Sequence, residues 1–196
     1  MGIIIRNLSK AYGDKKVLCA LNAEMPDTGY VAILGSSGVG KTSLLRLIAG
    51  LEEPDEGEII FTYSETPKIS MVFQEDRLFP HLSARENVAL VGDDRANDLK
   101  QADILLTQLG LGDCIYQRAA ELSGGMKRRV ALARSLLYGG QIYLLDELFT
   151  GLDDQTLCQV TKTLDPLSEA ALVIFVSHDT RLLTDRVKQI IRIEPA

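Results

Sequence analysis

The stretch Gly35-Ser36-Ser37-Gly38-Val39-Gly40-Lys41-Thr42 constrains this chain more than any other, because it fits the G-x-x-x-x-G-K-[ST] phosphate-binding pattern in full. Its flanks fit as well. Tyr30-Val31-Ala32-Ile33-Leu34 reads as a short buried strand running into the loop, and Ser43-Leu44-Leu45-Arg46-Leu47-Ile48-Ala49 as a helix leaving it. Glycines let the backbone curl around phosphates with no Cβ in the way, so successive N–H groups form an anion nest. The helix adds its positive N-terminal end, with Ser43 joining the same cradle. Lys41 is expected to reach the β- and γ-phosphate oxygens as a point charge, and the Thr42 hydroxyl to enter the shell of a Mg²⁺ ion. The natural occupant is a nucleoside triphosphate. The loop defines a nucleotide site without defining a function.

The rest of the chain reads as an α/β fold built around that loop. Ile3-Ile4-Ile5 and Val17-Leu18-Cys19-Ala20-Leu21 look like strands bracketing the polar turn Gly13-Asp14-Lys15-Lys16. Tyr12, just before the turn, is either a packed strand residue or a platform for a purine ring, and local sequence favours packing. After the first helix, Gly50 to Gly57 is turn chemistry leading into a second hairpin at Glu58-Ile59-Ile60-Phe61. Ile69-Ser70-Met71-Val72-Phe73 is a buried strand ending at Gln74. From Glu75 to about Ala120 the pattern is helical, clearest from Asp98 to Leu109. Ser123 can cap a periodic helix running to about Leu137.

Next, Ile142-Tyr143-Leu144-Leu145-Asp146-Glu147 is an apolar strand that ends in two carboxylates, and an acidic pair at a buried strand end needs a chemical reason. A helix follows Asp153 to about Leu164, Ala170 to Val176 is a buried strand delivering Ser177-His178-Asp179, and Val187 to Ile193 is a last strand. Alternating strands and helices around a phosphate loop imply a mostly parallel central sheet flanked by helices. The expected organisation is one domain over residues 1–196. Its nucleotide-binding core is residues 1–73 and 138–196 with an N-terminal antiparallel β subdomain, and residues 74–137 form a helical subdomain insertion.

Composition narrows the function classes. The 21 basic against 27 acidic residues give a net charge of −6, which argues against a general nucleic-acid binder. The local run Lys127-Arg128-Arg129 reads first as a solvated helix face. Cys19, Cys114 and Cys158 are odd in number and widely spaced, which suggests neither a disulfide framework nor a zinc site. The N-terminal stretch has no signal-peptide pattern, and no apolar run reaches the about 18 residues needed to span a bilayer. Any membrane association is expected to run through a partner.

Gly35 to Thr42, Gln74, Leu122-Ser123-Gly124-Gly125-Met126, Leu145-Asp146-Glu147, Asp153 and His178, in that order, resemble the ATP-binding cassette family of ATPases, and the likeness covers essentially the whole chain. The Ser-Gly-Gly element discriminates, because other phosphate-loop folds have no counterpart to it. The resemblance implies that Asp146 holds the water shell of Mg²⁺ and that Glu147 is the general base toward the attacking water. It implies that Gln74 contacts Mg²⁺ or that water, that His178 touches the γ-phosphate, and that Tyr12 stacks on adenine. It also implies that Ser123, Gly124 and Gly125 bind the γ-phosphate held by a second cassette, in a homodimer or heterodimer whose interface Asp153 lines.

A single cassette with a short helical insertion is similar to the ATPase subunits of transporters whose membrane subunits are separate chains. Residues 74–83 and Glu86-Asn87-Val88 look like importer cassettes, in which this region forms the groove for a membrane partner's helix; Leu78, Phe79 and Leu82 read equally as core. The resemblance thus implies ATP and Mg²⁺ as ligands, permease subunits and a solute-binding protein as partners, and a cytoplasmic location on the inner face of the membrane. The alternative is a soluble cassette that switches a protein or nucleic-acid complex. Two positions depart from the family pattern: Leu148 stands where most members have Pro, and Met126 where most have Gln.

Overall fold

In the computed structural model, which describes residues 2–177 and 186–194, the chain opens with an antiparallel pair, β1 (Ile3–Tyr12) and β2 (Lys15–Met25). Next come β3 (Gly29–Leu34), the phosphate loop, α1 (Lys41–Ile48), β4 (Glu56–Phe61) and β5 (Ile69–Val72). Three helices follow: α2 (Ala84–Ala89), α3 (Arg95–Gln108) and α4 (Gly124–Tyr138). The remaining elements are β6 (Ile142–Asp146), α5 (Asp154–Ala170), β7 (Leu172–Val176) and β8 (Val187–Arg192). Among the described residues the strands form a parallel sheet in the order β5-β6-β7-β3-β8 and an antiparallel sheet in the order β2-β1-β4.

Because side chains alternate along a strand, the parallel sheet sends two sets of residues to two different cores. Ala32, Tyr143, Leu145, Val173 and Phe175 join Val88 of α2, Leu106 of α3, Leu132 of α4 and Leu164 of α5 on one face. Val31, Ile33, Leu144 and Ile174 join Ile3, Ile5 and Leu8 of β1 and Leu44 and Ile48 of α1 on the other. The all-apolar strands expected from the sequence are therefore apolar because both faces are covered. The parallel sheet with flanking helices and the separate antiparallel sheet are as the sequence implied.

Three local expectations are corrected. Residues 56–61 form no second hairpin: β4 pairs with the distant β1, with Ile3 opposite Phe61 and Ile5 opposite Ile59, because that pairing lets Ile59 and Phe61 pack into the core shared by Ile3 and Ile5. The first hairpin is longer than its apolar runs, since polar residues alternate outward to Tyr12 and Lys15. Helix α5 does not stop near Leu164 but continues through Pro166 to Ala170. Proline removes one intrahelical donor, and packing of Leu164 and Leu167 on the core offsets that loss.

The helical segment is tied together by one fully buried side chain. Asn87 of α2 accepts from the Phe79 N–H at 2.8 Å and donates to the carbonyls of Phe79 at 3.0 Å, Leu82 at 3.2 Å and Ser83 at 3.0 Å. Ser83 and Glu86 complete the helix start as a capping box. Replacing Asn87 with Ala strands these buried backbone groups, so Asn87→Ala is expected to cost about 2–3 kcal/mol. Urea unfolding, with hydrogen exchange at residues 79–89 rising ahead of the rest, measures it.

Candidate active site

The phosphate loop links the C-terminal end of β3 to α1, and its glycines have steric reasons to be there. Gly40 caps α1 at φ 110°, and a Cβ on it would stand 2.5 Å from the Val17 carbonyl oxygen. Lys41 is buried, with Nζ donating to the carbonyls of Gly35 at 2.9 Å and Ser36 at 2.8 Å. Burial pulls its pKa below the usual lysine range, and the carboxylates of Glu147 and Asp146 push it back up. The cation therefore sits inside the loop, facing acids on a neighbouring strand end.

Those acids arrive on β6. Asp146 is its last residue and is buried, with the Thr42 hydroxyl donating to Oδ1 at 3.2 Å. Burial raises the Asp146 pKa above the ordinary range, the Thr42 hydrogen bond lowers it, and the Glu147 charge raises it further. Glu147 turns out of the strand at φ 51°, a left-handed conformation that a non-glycine residue adopts only when its surroundings enforce it. Gln74, two residues past β5, directs Nε2 to Glu147 Oε2 at 3.5 Å. Strands β5, β6 and β3 thus bring Gln74, Asp146, Glu147, Lys41 and Thr42 together at their C-terminal ends. This is where ligands bind in open parallel sheets.

The residue after Glu147 explains how a proline can be dispensed with. Leu148 and Phe149 are 1% and 2% exposed, and both join the core beneath the turn. The Thr150 N–H donates to the Glu147 carbonyl at 3.2 Å and closes the turn. Apolar anchoring here does what ring restriction does elsewhere.

The oxygen donors suit a Mg²⁺ ion. Among the described residues no cluster of three His, Cys, Asp or Glu side chains could hold a metal unaided. Mg²⁺ typically takes one or two protein ligands and completes its shell with water and substrate phosphates. A buried carboxylate paired with a threonine hydroxyl, next to a loop shaped for phosphates, is such a donor set.

Tyr12 is not packed in the core, as local sequence favoured; it is 45% exposed at the end of β1. Its hydroxyl lies 3.2 Å from Ser43 Oγ and donates to the Glu52 carboxylate, which in turn pairs with Arg46 of α1 at 3.2 Å. Residues 14–17 and 36–39 line a cavity of about 580 Å³ beside it. Lys15 faces that cavity, its Nζ 3.7 Å from where a Cβ on Gly38 would stand. Sequence reading missed Lys15 and Glu52. The available signal was the tight turn that pairs Tyr12 with Lys15, since it places this lysine over the loop.

Ser123, Gly124 and Gly125 open α4, and Ser123 Oγ accepts from the Met126 N–H at 3.3 Å, as expected of a cap. A Cβ at either glycine would meet nothing within 4 Å, so this helix start faces open space. Among the described residues no hydrogen bond joins it to the phosphate loop. Asp153 caps α5, accepting from the Thr156 N–H at 2.8 Å, and these bonds hold its carboxyl below the usual range. Arg128 and Arg129 are not simply solvated. Arg128 donates to the Thr150 carbonyl at 2.9 Å and Arg129 to the Leu109 carbonyl at 2.9 Å. His178 lies outside the described residues.

Comparison with known proteins agrees with this geometry. The family model described as ABC transporter matches residues 18–150. The chain is 41% identical over 192 residues to the sulfate/thiosulfate import ATP-binding protein CysA of Synechocystis sp., covering 91% of this chain and 54% of that protein. It is 40% identical over 190 residues to the aliphatic sulfonates import ATP-binding protein SsuB 1 of Paracoccus denitrificans, covering 94% of this chain and 77% of that protein. It therefore spans about half of the first relative's length and about three quarters of the second's. Among solved structures, the dimeric post-hydrolysis state of the ATP-binding cassette MJ0796 bound to ADP and Pi superimposes with a TM-score of 0.87 at 29% identity, over 98% of this chain and 96% of that one. Phosphate loop, acidic strand end, Ser-Gly-Gly helix start, fold and relatives all agree: this chain belongs to the ABC transporter family as an ATP-binding cassette.

Proposed function

We propose that this cassette is the ATP-hydrolysing subunit of an ABC importer, working as a head-to-tail pair around two Mg-ATP molecules. The convergence of Lys41, Thr42, Asp146, Glu147 and Gln74 on one sheet edge carries the reading. Residues 35–43 bind the phosphates through backbone N–H groups, with Lys41 countering the β- and γ-phosphate charge. Thr42, Asp146 and Gln74 would hold Mg²⁺, directly or through its waters, which would supply charge neutralisation at the phosphate oxygens. Glu147 takes a proton from the water whose oxygen attacks the γ-phosphorus. The bond to the β–γ bridging oxygen breaks, and ADP leaves with phosphate. Tyr12 presents its exposed ring to adenine, held upright by Ser43 and Glu52.

The open helix start at Ser123, Gly124 and Gly125 supplies N–H donors to the γ-phosphate on the partner cassette, with Asp153 at the shared interface and His178 at the γ-phosphate. ATP then forms part of the dimer contact, and hydrolysis removes the bridging charge. Among the described residues no helix is long and apolar enough to cross a membrane. In this reading permease subunits hold the cassette on the cytoplasmic face, and a solute-binding protein completes the assembly. The relatives named as sulfate/thiosulfate and sulfonate import proteins support import of a small solute. Purification from native membranes is expected to bring down a polytopic membrane protein, and recovery only in a salt-sensitive nucleic-acid complex would refute transport.

Lys41→Ala is expected to weaken ATP binding about 100-fold, or about 2.7 kcal/mol, by calorimetry, and near-normal affinity would contradict the phosphate-loop assignment. Glu147→Gln should bind ATP normally, turn over at least about 100-fold more slowly, and accumulate as a dimer by light scattering. Wild-type turnover in that variant would remove Glu147 from the base role. Ser123→Arg fills the open helix start, so it should abolish hydrolysis while the monomer keeps its ATP affinity within about twofold. Full activity would argue against the site shared between chains.

A further inference from the structure

Residues 74–78, which carry Gln74 away from β5, pack on the core through Leu78 but have no backbone pairing of their own. Among the described residues, no backbone–backbone hydrogen bond outside the regular helices and strands involves them. Arg77 nonetheless holds a left-handed φ of 45°, with its guanidinium 3.9 Å from the Phe73 ring centroid. A loop in that conformation needs an external constraint.

The constraint comes from α4. Arg134 Nη1 donates to the Arg77 carbonyl at 3.0 Å, and Nη2 to the Asp76 carbonyl at 3.3 Å. Arg134 is half-buried, burial lowers its pKa, and among the described residues it forms no ion pair. A desolvated guanidinium without a carboxylate partner can recover hydration only through such acceptors, and its planar fork fixes two at once. The adjacent Ser135 anchors the same part of α4 to β5: Ser70 Oγ donates to the Ser135 carbonyl at 3.0 Å and lies 2.8 Å from its hydroxyl. Helix, strand and loop are thus fastened within two consecutive α4 residues, immediately behind the Gln74 amide that reaches Glu147.

We propose that Arg134 is a positioning residue for ATP hydrolysis: by clamping the carbonyls of Asp76 and Arg77 it fixes how far Gln74 extends toward Glu147. The proposal rests on the hydrolytic reading above. It also assigns α4 a mechanical task. Ser123 at the N-terminal end and Arg134 in the C-terminal half are separated by about 16 Å of continuous helix, so a displacement felt at Ser123 is delivered to the Gln74 loop through this clamp.

The test is a double-mutant cycle on the full chain, with ATP turnover measured against ATP concentration and nucleotide affinity by calorimetry. Arg134→Gln should lower kcat about tenfold while KM and the ATP dissociation constant stay within about twofold. Arg134→Lys, which keeps the charge and one donor to a carbonyl, should recover part of the loss. In a Gln74→Ala background, either substitution should change kcat less than about twofold, because the group it positions is gone. Wild-type kcat in Arg134→Gln, or an equal loss in both backgrounds, overturns the clamp. If Arg134→Gln melts early, the same non-additivity is read from Arg134→Lys, and additive losses there overturn the proposal as well. A wild-type chain that binds and hydrolyses no ATP refutes the hydrolytic reading itself, whereas an active wild type indifferent to Arg134 refutes only the positioning role.

Discussion

The hydrogen bond from the Thr42 hydroxyl to the Asp146 carboxylate joins two segments about a hundred residues apart, and the geometry of the site follows from that contact. It fixes the start of α1 against the end of β6, so that a buried lysine, a buried aspartate and a glutamate share one small volume. Burial penalises the charges of Lys41 and Asp146, and their attraction only partly offsets the penalty. A carboxylate whose pKa is raised in the folded chain costs stability that grows as pH climbs through and above its ordinary range. Asp146 is in that position. The chain keeps a strained electrostatic arrangement that a cation and phosphates would relieve, which is the pattern of a functional site rather than of a core.

The two hydrophobic cores explain why the arrangement holds. Each central strand is apolar on both sides, so β6 cannot slide by one residue without exchanging its two sets of buried side chains. Asp146 follows Leu145, which is locked into the helical face, and Leu144, which is locked into the opposite face. Glu147 can then be forced into its left-handed turn because Leu148 and Phe149 bury the next two side chains. Leu148, which stands where most family members have Pro, is fixed by burial. In the fold it exchanges a restricted backbone for buried area.

What could be read from the sequence divides by the range of the interaction. The phosphate loop, the Ser123 cap and the acidic strand end were legible because each is a local pattern with a local physical cause. The partner of β4 was not, since pairing with β1 is chosen by where Ile59 and Phe61 can be buried. Nor is the end of α5 a local matter, since the helix runs through Pro166 to Ala170 where Leu167 packs on the core. Tyr12 shows the same limit in the site: an aromatic at a strand end reads as core, and only the hydroxyl's bonds to Ser43 and Glu52 show why its ring stays exposed.

The arginines of α4 carry this argument furthest. A run of basic residues on a helix reads as a solvated face, because sequence does not reveal which carbonyls lie within reach. In the fold, Arg128 holds the turn after Glu147 through the Thr150 carbonyl, Arg129 holds the end of α3, and Arg134 holds the loop after Gln74. Arginine suits all three places because its planar fork of donors can satisfy backbone acceptors directly. One helix therefore touches the backbone of both segments that present the proposed hydrolytic pair, Gln74 and Glu147, while its own N-terminus stays open. On the proposed reading, the element that senses the partner's nucleotide is the one that sets the geometry at its own. The two nucleotides are then coupled through α4, its Arg134 and the loop that Arg134 holds.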